Sequence, residues 1–108
     1  MNIFRGDFGY AVEFTCKDAD GVVYDLTGKT ATWVVWREGL QGRIVNATCT
    51  YTTATLGICT YTLVAANFPD VGAFKGAVEV TSGTTLKRTF GDPDNANEGF
   101  TVNILEKP

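Results

Sequence analysis

The feature that most constrains this chain is its punctuation. Clusters rich in Gly, Asp, Asn and Thr recur at short intervals: KDADG at 17–21, LTGK at 26–29, REGLQG at 37–42, TATLG at 53–57, NFPDVG at 67–72, TSGTT at 81–85 and GDPDNANEG at 91–99. Gly accepts positive φ, and Asp or Asn side chains hydrogen-bond their own backbone, so such clusters are turn chemistry. The runs between them are rich in Thr, Val and aromatic residues and alternate apolar with polar, the period of a half-buried strand. Helix signals are nearly absent. The stretch LVAANF (63–68) runs into Pro69 and leaves room for a single turn.

Seven runs read as strands: 10–16, 30–37, 43–52, 58–64, 73–82, 85–90 and 99–106. Turns every 8–12 residues between short alternating strands are the pattern of an antiparallel, immunoglobulin-like β-sandwich. At 108 residues the chain is one such domain, 1–108. Period 2 places Tyr10, Val12, Phe14 and Cys16 on one face, and Phe100, Val102 and Ile104 on another. The expected core is Val12, Phe14, Trp33, Val35, Phe74, Val78, Phe100, Val102 and Ile104. The runs 43–52 and 58–64 read as arms of one hairpin, as do 73–82 and 85–90.

Composition narrows function. Nine Lys and Arg residues against 12 Asp and Glu give a net charge of −3, and the basic residues are scattered. Neutralising a phosphate backbone needs clustered cations, so nucleic acid is not an expected partner, and neither is an anionic membrane. No apolar run reaches the roughly 20 residues that span a bilayer, and MNIFRGDFGY lacks the apolar core of a signal peptide. The expected chain is soluble and made in a cytoplasm. It has no histidine, which removes the commonest general base and metal ligand. No nucleophile stands beside a base in the sequence, so neither catalysis nor a cofactor is expected.

Cys16, Cys49 and Cys59 are odd in number and show no CxxC spacing. Cys16 reads as a small core residue. Cys49 and Cys59 flank the turn at 53–57 and face one another if Ala54 is its centre. They read as half-buried thiols, with a disulfide as the alternative. Asp92, Asp94, Asn95, Asn97 and Glu98 put many oxygen ligands into seven residues. They are weak candidates for a hard cation, because Ala96 breaks the EF-hand spacing, and a solvated loop is the plainer reading. Asp18, Asp20 and Gly21 read as a strand reversal. Trp36 points away from the Trp33 face. Near Tyr51 or Tyr61 it would offer an aromatic binding or interface surface. Arg5-Gly6-Asp7 matches an adhesion tripeptide, but it adjoins a strand and is short enough to arise by chance.

The stretch GDFGYAVEFTCKDADGVVYDLTGKTATWVV (6–35), followed by FPDVGAFKGAVEV (68–80), resembles the N-terminal immunoglobulin-like domain of phage baseplate upper proteins. Gly6-Asp7 matches the family's opening pair, Asp18 to Gly21 its acidic turn, Asp25 to Gly28 the DLTG step, and Gly72 to Val80 the later aromatic strand. The order covers roughly residues 5 to 104. The resemblance implies a core position for Trp33 and turn roles for Gly6, Asp7, Asp18, Asp20, Gly21, Gly28 and Gly72. It also implies a non-catalytic part in a virion tail or baseplate, with other virion proteins or further copies of the chain as partners. In that setting Gly6-Asp7 is the informative pair and Arg5 is incidental. The competing reading is a carbohydrate- or cell-surface-binding sandwich.

Overall fold

Alternation in the sequence becomes two sheets that bury one face each against the other. The computed structural model describes residues 1–18, 20–37, 39, 42–91 and 99–106. Among these lie nine strands: β1 (Asn2–Phe4), β2 (Ala11–Thr15), β3 (Thr30–Trp36), β4 (Val45–Thr48), β5 (Thr50–Thr53), β6 (Ile58–Thr62), β7 (Gly72–Ser82), β8 (Leu86–Phe90) and β9 (Phe100–Leu105). One sheet has six strands in the order β1-β9-β7-β3-β4, with β8 also on β7. The other has three, in the order β2-β6-β5. The fold is the expected all-β sandwich, with nine strands in place of seven.

Two features account for the difference. β1 pairs with β9 in parallel, Ile3 opposite Ile104, and its three residues are too few to show a period. The run 43–52 is two strands in two different sheets. β4 pairs with β3 and β5 with β6. The break falls at Cys49, whose N–H donates to Ala31 O at 2.8 Å and whose side chain is buried. The stretch 63–68 holds a single 3-10 turn, Ala65–Asn67.

β3 and β7 form the spine, antiparallel from Thr30↔Thr81 to Trp36↔Lys75. β7's other side carries β8 along 78–82 and β9 along 72–76. Trp33 is fully buried, its ring 5.3 Å from Phe14, 5.7 Å from Tyr61 and 5.9 Å from Phe68. Phe14 also stacks on Phe100 at 5.5 Å, so aromatic contacts join the two sheets across the core. The expected core residues are buried, except that Phe100 is partly buried against the cluster. The cluster also takes in Ile3, Leu26, Val45, Leu63, Phe68, Val80 and Phe90. Tyr10 departs from the expected alternation. It lies ahead of β2 and is 43% exposed, so the inward series begins at Val12.

Candidate assembly surface

β2 is an edge of its sheet. Cys16 N–H donates to Gly57 O (2.8 Å) and Leu63 N–H to Tyr10 O (2.9 Å). In an antiparallel ladder such bonded pairs recur at every second residue. The even-numbered residues of β2 therefore bond to β6, while Ala11, Glu13 and Thr15 turn their N–H and C=O groups outward. Among the described residues no strand pairs with that side. Beneath it a cleft of about 280 Å³ opens between the sheets, lined by Glu13, Phe14, Lys17, Val78, Phe90 and Phe100 among others.

Beyond the N-terminal end of β2 lies an apolar shelf. Phe8, 71% exposed, and Val64, 54% exposed, line a shallow hollow with Gly9, Leu63 and Ala65. Gly9 N–H donates to Leu63 O at 3.0 Å, which fixes the two segments side by side.

Trp36 is on the outer face of the larger sheet and half-buried. A cleft of about 300 Å³ there is lined by Val34, Trp36, Gly42, Arg43, Ala77, Glu79 and Thr89. Val34 and Ala77 pair across the sheet and point away from the core. They are nevertheless only 2% and 1% exposed. Arg43 grips Glu79 through two bonds, 3.0 and 2.7 Å, with Lys87 at 3.6 Å. Burial works to raise the Glu79 carboxyl pKa, but the Arg43 hydrogen bonds and the Arg43 and Lys87 charges override it, so the net shift is downward.

Tyr51 and Tyr61 do not join Trp36. Both pack against the core. The Tyr51 hydroxyl donates to Lys29 O, and the Tyr61 hydroxyl donates to Asn67 Oδ1 at 3.3 Å. The three aromatics therefore form no common surface. Period 2 on β6 sends Tyr61 to the same side as Cys59, a signal the sequence already held.

The turn residues hold backbone. The Asp18 carboxylate accepts the N–H groups of Asp20 and Val22, each at 3.0 Å, and Gly21 N–H donates to Asp18 O. Asp25 caps Thr27 N–H at 2.9 Å, one step before Gly28. Asp7 N–H donates to Phe4 O at 3.1 Å, which closes a turn between β1 and β2. Arg5 N–H donates to Leu105 O at 2.8 Å, and its guanidinium meets Glu106 at 2.8 Å on the surface. Gly72 opens β7. Asp92, Asp94, Asn95, Asn97 and Glu98 lie outside the described residues. Among the described residues no group of His, Cys, Asp and Glu is placed to hold a metal ion, and no helix is long and apolar enough to cross a membrane.

Cys49 and Cys59 do not face each other. Tyr51 is opposite Cys59 and Thr50 opposite Thr60, because the turn centres on Thr55, within the 3-10 turn Ala54–Leu56, and not on Ala54. All three thiols are free and buried.

Fold and surfaces together define an all-β, sandwich-like domain with open strand edges. No protein-family model matches the chain, and no curated protein matches it either.

Proposed function

We propose that the chain is a non-catalytic structural module of a phage tail or baseplate, an immunoglobulin-like sandwich that works by protein–protein assembly. Its partners are other virion proteins, with a homo-oligomer as one form, and its site is the virion after synthesis in the host cytoplasm. The ordered motifs at 6–35 and 68–80 support the phage reading. The observation that carries the assembly reading is the outward edge of β2 above an apolar cleft. Unpaired N–H and C=O groups in a row are a template for another strand, and the exposed Phe8 shelf adds apolar surface beyond the strand's N-terminal end.

Thr15→Pro tests the edge. Thr15 N–H points outward, so proline there removes a donor from the free edge and leaves the bonds to β6 in place. Light scattering on the chain with its neighbouring tail proteins should find a complex that Thr15→Pro loses while circular dichroism is unchanged. A complex that survives Thr15→Pro would move the interface off this edge. Absence of the chain from purified virions would end the phage reading.

A second reading, carbohydrate or cell-surface binding, is supported by the outer-face cleft. There Trp36 has Arg43, Glu79 and Thr89 around it, an apolar ring beside polar groups. Glycans that quench Trp fluorescence in the parent but not in Trp36→Ala would favour it. A flat glycan array would remove it.

A further inference from the structure

The only three cysteines of the chain converge on one place in the core. Across β2 and β6, Phe14 is opposite Cys59 and Thr15 opposite Ile58. Cys16 follows, its N–H on Gly57 O. Cys16 and Cys59 thus point to the same inward side as diagonal neighbours. On the other flank of β6, Cys49 comes two residues before Tyr51, which is opposite Cys59. Cys59 is therefore the middle of a row, and the three are 1%, 0% and 6% exposed in the order Cys16, Cys59, Cys49.

The Cys59 sulfur interacts with both the Cys16 and the Cys49 sulfur. The Cys49 thiol donates to Ala47 O at 4.0 Å, the far limit for sulfur. The bond from Cys59 holds the Cys16 thiol below its usual pKa, against the effect of burial. Cys59 is pushed up to about 12, first by its bond to Cys16. Cys49 is pushed up further, first by its bond to Cys59 and then by burial. Cys16 also lines the cleft beneath β2, so it is the thiol a small oxidant reaches, and Cys59 is its diagonal neighbour. Opposite Cys16 stands Gly57, with φ +72°. A Cβ there would meet Cys16 O at 2.7 Å and Tyr24 O at 2.8 Å. The backbone is drawn in at this point, and residue 57 places no side chain beside the two sulfurs.

We propose that Cys16 and Cys59 are a site of oxidative cross-linking, converted by a peroxide into one internal disulfide while Cys49 stays a thiol. The Cys16 thiolate attacks one peroxide oxygen. An S–O bond forms, the O–O bond breaks, and the departing hydroxide takes up the proton Cys16 had lost, giving water. Cys59 sulfur then attacks the sulfenic Cys16 sulfur. An S–S bond forms, the S–O bond breaks, and the hydroxyl leaves with the Cys59 proton as a second water. In sum, two thiols are oxidised and one peroxide is reduced. Diagonal neighbours in a regular ladder have Cα atoms about 7–8 Å apart, more than a disulfide accepts. Closure therefore draws the end of β2 toward β6. The inference stands independently of the assembly reading.

Trypsin separates the alternatives. Cleavage after Arg5, Lys17, Arg43 and Lys75 puts Cys16 in peptide 6–17 and both Cys49 and Cys59 in peptide 44–75. The full chain is treated with hydrogen peroxide, unfolded, alkylated with iodoacetamide and digested without reduction. The expected product is peptide 6–17 joined to 44–75, lighter than their sum by two hydrogens, with one alkylated cysteine. Fragmentation of that product should place the label on Cys49. The Cys49→Ala variant should form the same link. A loss of two hydrogens within 44–75 alone, three alkylated thiols, a label on Cys59, or a non-reducing band at twice the chain mass would each overturn the proposal.

Discussion

Trp33 shows what one residue carries here. From the larger sheet its ring packs on Phe14 and Tyr61 of the smaller one and on Phe68 ahead of β7, yet its indole N–H is buried with no hydrogen-bond partner among the described residues. Shape and apolar area hold it in place, at the cost of one unpaired donor. Trp33→Ala should therefore cost about 3–5 kcal/mol in urea unfolding. Trp33→Phe should recover roughly 1–3 kcal/mol of that, since it deletes the unpaired donor with the ring's second half. Glu79 is the opposite case, a polar group fully served. Its folded pKa is depressed below the unfolded one, so its stabilisation is present above the ordinary Glu range and is lost as pH falls through the folded value. Arg43→Ala should cost about 1 kcal/mol at neutral pH. That penalty should fade as Glu79 takes up its proton below the ordinary Glu range, which urea melts at several pH values would show.

Among the elements, legibility followed period and length. The faces of β2, β3, β7 and β9 could be read from alternation because each has five or more residues, with apolar or small residues such as Val, Phe, Trp and Ile at every second, inward place. β1 could not be read: three residues hold no period, and its one buried residue, Ile3, finds its partner at Ile104, about a hundred positions away. Ile3→Ala should cost about 2–4 kcal/mol, measurable by thermal or urea unfolding, although the segment looks like a loose end in the sequence. The break at Cys49 was hidden for a different reason. The alternation 43–52 runs on through it, so the local pattern is that of one strand, and only pairing shows that β4 and β5 belong to different sheets. The facing of Cys49 and Cys59 fails for a separate reason: it needs a turn centred on Ala54, and the turn centres one residue later, which brings Tyr51 opposite Cys59. The open edge of β2 was likewise not readable, because sheet order is a property of pairing. The turns were legible almost residue by residue, since Asp18, Asp25 and their glycines act on backbone within a few positions.

For the whole molecule, β7 is the strand on which the larger sheet depends. It has β3 along one side and both β8 and β9 along the other. Most of these pairings join segments far apart in sequence, so folding should be slow for the size, in the millisecond-to-second range. The way β8 and β9 share one side of β7 has its own consequence. Val78 is opposite Phe90 and Gly76 opposite Phe100, with both strands running the same way. β8 and β9 are thus two halves of a single line of pairing, interrupted opposite Ala77 by the nine residues 91–99. β8 ends opposite Val78 and β9 begins opposite Gly76. Such a gap acts as a splice point: what lies between Phe90 and Phe100 can be exchanged without re-registering either strand. Replacing 91–99 with a single residue should give one unbroken strand and a protein that still unfolds cooperatively, and a foreign peptide grafted there should be displayed by a sheet that does not notice the exchange.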